Sequence, residues 1–182
     1  MNSSSVPTTL KKKAFNLRLT GWSCFWLQIV GVLASGISLL FVVTGRQLSA
    51  QTNPAMGWGI FFAVSGILAA AVSIILAFMY ARVGQRLRKS DVVQPPPKSN
   101  LIRLVNFGLM VGLGGMLLTL IGSGLTTAVL VAKTISQPPG TTLTDASEAV
   151  RALDVFIMVA NLNGVAAHFV GTVTSIWLKY RV

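Results

Sequence analysis

Asp154, Asn161, His168 and Ser175 stand seven residues apart in a stretch, residues 153–178, otherwise apolar enough to cross a bilayer. A carboxylate, a carboxamide, an imidazole and a hydroxyl in one line could handle an ion along a permeation path. They could equally hydrogen-bond neighbouring helices or contact another membrane protein. Gly164 and Gly171 fill intermediate steps, and a seven-residue spacing drifts only about 20° on an α-helix, so all six residues share one stripe. Ionisable groups inside a span turn toward the bundle interior or a watery cavity, not toward lipid.

Depth separates the members of the stripe. At about 1.5 Å per residue, Asp154 and His168 lie about 21 Å apart along the axis, too far to share one ion within a subunit. Asp154 falls at the outer interface. Glu148, Arg151 and Asp154 follow one another at intervals of three and read as a capped, ion-paired helix end or as a cation entrance. Asn161 and His168 fall at hydrocarbon depth, and Gln28, about 9 Å inside the first span, is expected to be their polar partner from another helix.

Transition-metal sites gather several His, Cys, Asp or Glu ligands. The chain has one His and one Cys, so a site within one subunit would need Met, Asn, backbone carbonyls or an oligomer to complete it. Cys24 reads as a small buried apolar side chain. Without a nucleophile and base pair, a phosphate loop or a carboxylate dyad, the residues do not describe an enzyme, and no cofactor is implied.

The elements that must carry this stripe are membrane helices. Of 182 residues 53% are hydrophobic and only four are acidic, and the mean hydropathy is +0.71, a membrane-protein composition. Four stretches reach the roughly 20 residues a span requires: about 22–43, 57–80, 104–131 and 153–178. The remainder comprises a basic segment 1–21, three connections and a tail 179–182, with no room for a soluble core. The first span is too long for a signal peptide, has no clear cleavage site after it, and is read as a retained helix. The expected fold is therefore all-α, one bundle of four transmembrane helices.

Net charge is +11, and its distribution orients the bundle. The fifteen Lys and Arg fall in five blocks: four before the first span, Arg46 after it, six in the 81–103 connection, Lys133 with Arg151, and Lys179 with Arg181. Alternate blocks place twelve on one side and three on the other, which puts both termini and the 81–103 connection in the cytoplasm. Trp22, Trp26, Tyr80, Trp177 and Tyr180 would then line the cytoplasmic interface, with Trp58 at the outer one. The run ARVGQRLRKS, residues 81–90, suits anionic lipid headgroups; no aromatic interleaving or folded module supports nucleic-acid binding. QPPPKSN reads as a stiff spacer.

Small residues prepare the helices for close approach. Gly108, Gly112, Gly115 and Gly122 alternate with Thr119 and Thr126 along one face of the third span, and Gly66, Ala70, Ser73 and Ala77 do the same in the second. Such ridges let backbones meet where lipid provides no hydrophobic force between helices. A faint echo between VSIILAFMYARV and VTSIWLKYRV hints at a duplicated hairpin.

RALDVFIMVANLNGVAAHFVG, VAKTISQP, ISLLFVVTG and RVGQRLRKSD together resemble the four-helix chloroplast inner-envelope family described both as the twenty-one-kilodalton translocon subunit and as a permease in chloroplasts, with its cyanobacterial relatives. LDVF followed by HF at this spacing is the most specific part. The resemblance implies two roles, iron transport across the inner envelope and participation in protein import, and carries no catalytic motif. No long transit extension precedes the first span, so a cyanobacterial member of the plasma membrane or thylakoid is expected, where import into a plastid cannot apply literally. Two functions follow as expectations. One is a permease for a metal cation, iron by resemblance, acting as a homo-oligomer. The other is a non-transporting scaffold in a membrane-protein import, insertion or assembly complex.

Overall fold

A computed structural model describes residues 8–47, 54–88, 98–136 and 152–181. They form four α-helices: α1 Thr8–Gln47, α2 Pro54–Arg88, α3 Lys98–Ile135 and α4 Ala152–Arg181. In hydrocarbon a spanning segment must satisfy its backbone internally, and a helix does so without a partner. All four are long and apolar enough to cross a membrane.

Each helix outruns the apolar stretch that defines its span. At about 1.5 Å per residue, helices of 30 to 40 residues are about 45–60 Å long, against a hydrocarbon core of about 30 Å. Most of the basic 81–103 segment is consequently helical, because α2 runs to Arg88 and α3 starts at Lys98. Local chemistry sets several ends. Pro54 opens α2, where a missing N–H costs nothing. At the end of α3, Ser136 donates its N–H to the Ala132 carbonyl at 3.0 Å and its hydroxyl to the Lys133 carbonyl at 3.0 Å, satisfying carbonyls the helix leaves open.

The helices run up, down, up, down. At one end Leu17 of α1, Leu76 and Tyr80 of α2, Leu101 and Val105 of α3, and Leu178 of α4 form an apolar cluster. Val42, Met56 and Ile157 close the other end, with Val129 and Leu130 of α3 against them. Helices α2 and α4 touch across the middle, α1 and α3 flank them, and among the described residues α1 and α3 do not meet. The outer faces are apolar, with Trp26, Leu33, Leu40, Leu68, Met110 and Phe169 exposed, as a lipid-facing surface must be.

Tyr80 departs from the expected interfacial belt. Its ring is buried, and its hydroxyl donates to the Leu104 carbonyl at 3.3 Å. Gly108 lies directly against that hydroxyl. The glycine leaves a notch that the ring fills, so Tyr80 turns inward. Trp26, Trp58 and Tyr180 remain exposed, whereas Trp22 is half-buried and packs on Phe25 and Phe78.

Candidate functional site

The stripe on α4 faces the interior along its whole length. Asp154, Asn161, Gly164, His168, Gly171 and Ser175 are all buried. Opposite them runs α3, and the two helices mesh on a fixed register: Asn161 sits against Gly122, His168 against Gly115, and Thr119 of α3 against Gly164 of α4. Ser175 comes close to Gly108, where an added Cβ would lie 3.1 Å from its hydroxyl. Each large side chain occupies the space a glycine leaves open.

Helix α2 supplies the hydrogen-bond acceptors. Asn161 Nδ2 donates to the Gly59 carbonyl at 3.0 Å and to the Ile157 carbonyl of its own helix at 3.0 Å. One turn pair further along, His168 Nε2 lies 3.0 Å from the Gly66 carbonyl. A carbonyl only accepts, so Nε2 carries the proton that joins the ring to Gly66. Gly59 and Gly66 also receive Thr126 and Thr119 from α3, so both glycines serve two neighbours at once.

Gln28 does not meet Asn161 or His168 as expected. Its Nε2 donates to Ser73 Oγ at 2.6 Å and to the Ala167 carbonyl at 3.3 Å. The reason is the next notch along: a Cβ at Gly171 would lie 2.5 Å from that nitrogen, so the glycine admits the amide one layer away from the imidazole. Ser175 approaches Tyr80 Oη at 3.5 Å.

At the opposite end Asp154 pairs across helices. Lys133 Nζ of α3 donates to Asp154 Oδ2 at 2.7 Å, and the two side chains are only 9% and 11% exposed. Arg151 and Glu148, expected to accompany Asp154, lie outside the described residues. Among those described, no group of three His, Cys, Asp or Glu could hold a metal ion. Among the described residues, four buried side-chain polar atoms have no hydrogen-bond partner: Gln28 Oε1, Asn161 Oδ1, His168 Nδ1 and Thr172 Oγ1.

Several interior polar contacts, of Ser35 and of the ridge residues Thr119 and Thr126, lay beyond the sequence reading. Ser35 donates to the Ala160 carbonyl at 2.7 Å, while Thr119 and Thr126 return their hydroxyls to carbonyls of their own helix. The signal that finds them is the spacing already seen on α4. Gly21, Gln28, Ser35 and Val42 on α1, Gly59, Gly66, Ser73 and Tyr80 on α2, and Gly112, Thr119, Thr126 and Lys133 on α3 each recur at seven and are all buried. A sustained seven-residue repeat is the pattern of a left-handed, coiled-coil-like bundle.

The family model described as "Protein of unknown function (DUF3611)" matches residues 7–182. The chain is 33% identical over 187 aligned residues to "Protein TIC 21, chloroplastic" of Arabidopsis thaliana, covering 98% of this chain and 60% of that protein. It therefore spans about 60% of the length of that curated relative. The resemblance read from the residues is borne out by this match. No solved structure matches.

Proposed function

The chain belongs to the DUF3611 family, and on that premise we propose that it is a subunit of a larger membrane assembly that supports the import, insertion or assembly of membrane proteins. One observation carries this reading. Asn161 and His168, the side chains a permeation path would need, are committed to the Gly59 and Gly66 carbonyls and wedged against Gly122 and Gly115. An interior spent on holding the helices together leaves the outer faces and helix ends to meet partners. Protein import is also one of the two roles the family resemblance implies. The expected membrane is the plasma membrane or thylakoid of a cyanobacterium, with both termini and the basic connection on the cytoplasmic side.

Gentle detergent extraction followed by native electrophoresis tests the proposal. The expected result is a large hetero-complex that retains the chain through a second dimension. Recovery only as a monomer or homo-oligomer that moves iron unaided in liposomes would overturn it.

A second reading, a metal-cation permease with iron as its cargo, is favoured by a different observation. Gln28 Oε1, Asn161 Oδ1, His168 Nδ1 and Thr172 Oγ1 are buried without partners, whereas buried polar groups are nearly always satisfied by protein or water. Oxygen and imidazole nitrogen are ligand types a divalent metal accepts. Iron uptake should then collapse in His168→Ala assayed in cells that depend on the chain; unchanged uptake removes His168 from any transport mechanism.

A further inference from the structure

Two helix ends, just beyond the Ser175 end of the α4 stripe, form a basic groove. The start of α1 and the end of α4 enclose a pocket of about 290 Å³ lined by Lys12, Lys13, Asn16, Tyr180 and Arg181. Three cations, an amide and a phenol converge there. Asp154 is the one acid among the described residues, and it lies at the opposite end of the bundle. Arg181 is held over the face of Trp177 at 5.5 Å, which orients a guanidinium that would otherwise sweep freely.

The apolar surroundings continue the groove into the membrane. Leu17 and Leu178 close the bundle interior just below it. Leu19 follows Lys12 by seven positions and Asn16 by three, so it shares their face of α1. On α4, Val173 and Ile176 share the stripe of Tyr180, and Trp177 that of Arg181. These four side chains are 56%, 47%, 42% and 37% exposed, respectively. A ligand with an anionic head and an apolar tail meets complementary surface at both ends, and a free anion meets it only at one.

We propose that this groove binds the phosphate headgroup of an anionic membrane phospholipid. Arg181 and Lys12 engage the phosphate oxygens, since guanidinium and ammonium groups donate well-directed, charge-assisted hydrogen bonds to them. Asn16 and Tyr180 offer neutral hydrogen bonds to the glycerol side. The acyl chains lie along Leu19, Val173, Ile176 and Trp177. The proposal is independent of whether the bundle serves an assembly or conducts an ion.

Native mass spectrometry of the full chain in a neutral detergent, titrated with phosphatidylglycerol or phosphatidylcholine, tests it. Phosphatidylglycerol should bind the unaltered chain more tightly. Combining Lys12→Gln and Arg181→Gln should weaken phosphatidylglycerol binding about 25-fold, at about five-fold per cation near a membrane surface. A matched pair at the same end, Lys98→Gln with Arg103→Gln, should change it less than about three-fold. Equal losses in the two pairs, or no preference over phosphatidylcholine, would overturn the groove. Displacement of the lipid by inorganic phosphate at comparable concentration would overturn the lipid as its ligand. If a double variant loses helicity by circular dichroism, Arg181→Gln alone, with an expected loss of about five-fold, decides the matter.

Discussion

Replacing Gly115 by alanine should loosen α3 from α4, and the size of the loss should depend on His168. An added Cβ would overlap Cε1, Nδ1 and Nε2 of the imidazole, and that ring is wholly buried. It cannot step aside without giving up its 3.0 Å bond to the Gly66 carbonyl. Overpacking of this kind costs about 1–3 kcal/mol, and an interhelical hydrogen bond in a membrane protein contributes about 0.6 kcal/mol. The expected destabilisation is thus about 2–3 kcal/mol. Gly114→Ala and Gly124→Ala are the controls, because nothing lies within 4 Å of a Cβ added at either position; neither should destabilise by more than about 0.5 kcal/mol. His168→Ala alone removes the ring and leaves a cavity, a loss of about 2–3 kcal/mol by analogy with other large-to-small core changes. In the double variant the new methyl enters the vacated space, so the two losses should fall short of their sum by at least about 1 kcal/mol. Equilibrium unfolding in mixed micelles with a rising fraction of dodecyl sulfate, followed by circular dichroism, measures the five variants against the unaltered chain. Strict additivity, or a Gly115→Ala no costlier than Gly114→Ala, would refute the shared-space argument.

Three further outcomes follow from the same geometry. Gly108→Ala should destabilise the chain because its methyl would strike Tyr80 Oη, and cost less beside Tyr80→Phe, where the remaining neighbours are Ser175 Oγ at 3.1 Å and a ring carbon at 3.2 Å; a Tm no higher in the double variant than in Gly108→Ala contradicts this. Asp154→Asn should destabilise the chain because it replaces the 2.7 Å ion pair with Lys133 by an ammonium–amide contact, and exchanging the two residues as Lys133→Asp with Asp154→Lys should recover part of the loss. A loss under about 0.5 kcal/mol by the same unfolding assay would mean the pair carries no weight. Cys24 is free and buried, so an aqueous maleimide should leave it unlabelled in mild detergent and modify it once dodecyl sulfate unfolds the bundle. Labelling at equal rates in both would show that the thiol is accessible in the native state.

Much of the architecture was legible because the constraints on it are local. A run of about 20 apolar residues must become a helix in lipid whatever its neighbours do, and α1 to α4 contain the four stretches so identified. The interior face of α4 was legible for the same kind of reason: Asn161 and His168 cannot face hydrocarbon, and both are buried. The lengths of the helices were less so, since α2 and α3 carry helix through Arg82, Arg86 and Arg103, beyond any apolar boundary. Once outside the hydrocarbon, charged residues are good helix formers, and hydropathy no longer marks where the helix stops.

What the sequence by itself determined is the set of helices, the concentration of charge at their ends and the stripe that must turn inward. The partners of that stripe were decided only by tertiary structure. Gln28 passes His168 for Ser73 and the Ala167 carbonyl, Lys133 of α3 reaches Asp154, and Tyr80 leaves the interface for the Gly108 notch. The acceptors for Asn161 and His168 are backbone carbonyls of Gly59 and Gly66. Every residue possesses a carbonyl, so the sequence gives it no signature. It becomes a particular partner only when the register between helices, fixed by the fit of large side chains into glycine notches, brings it within reach of a donor.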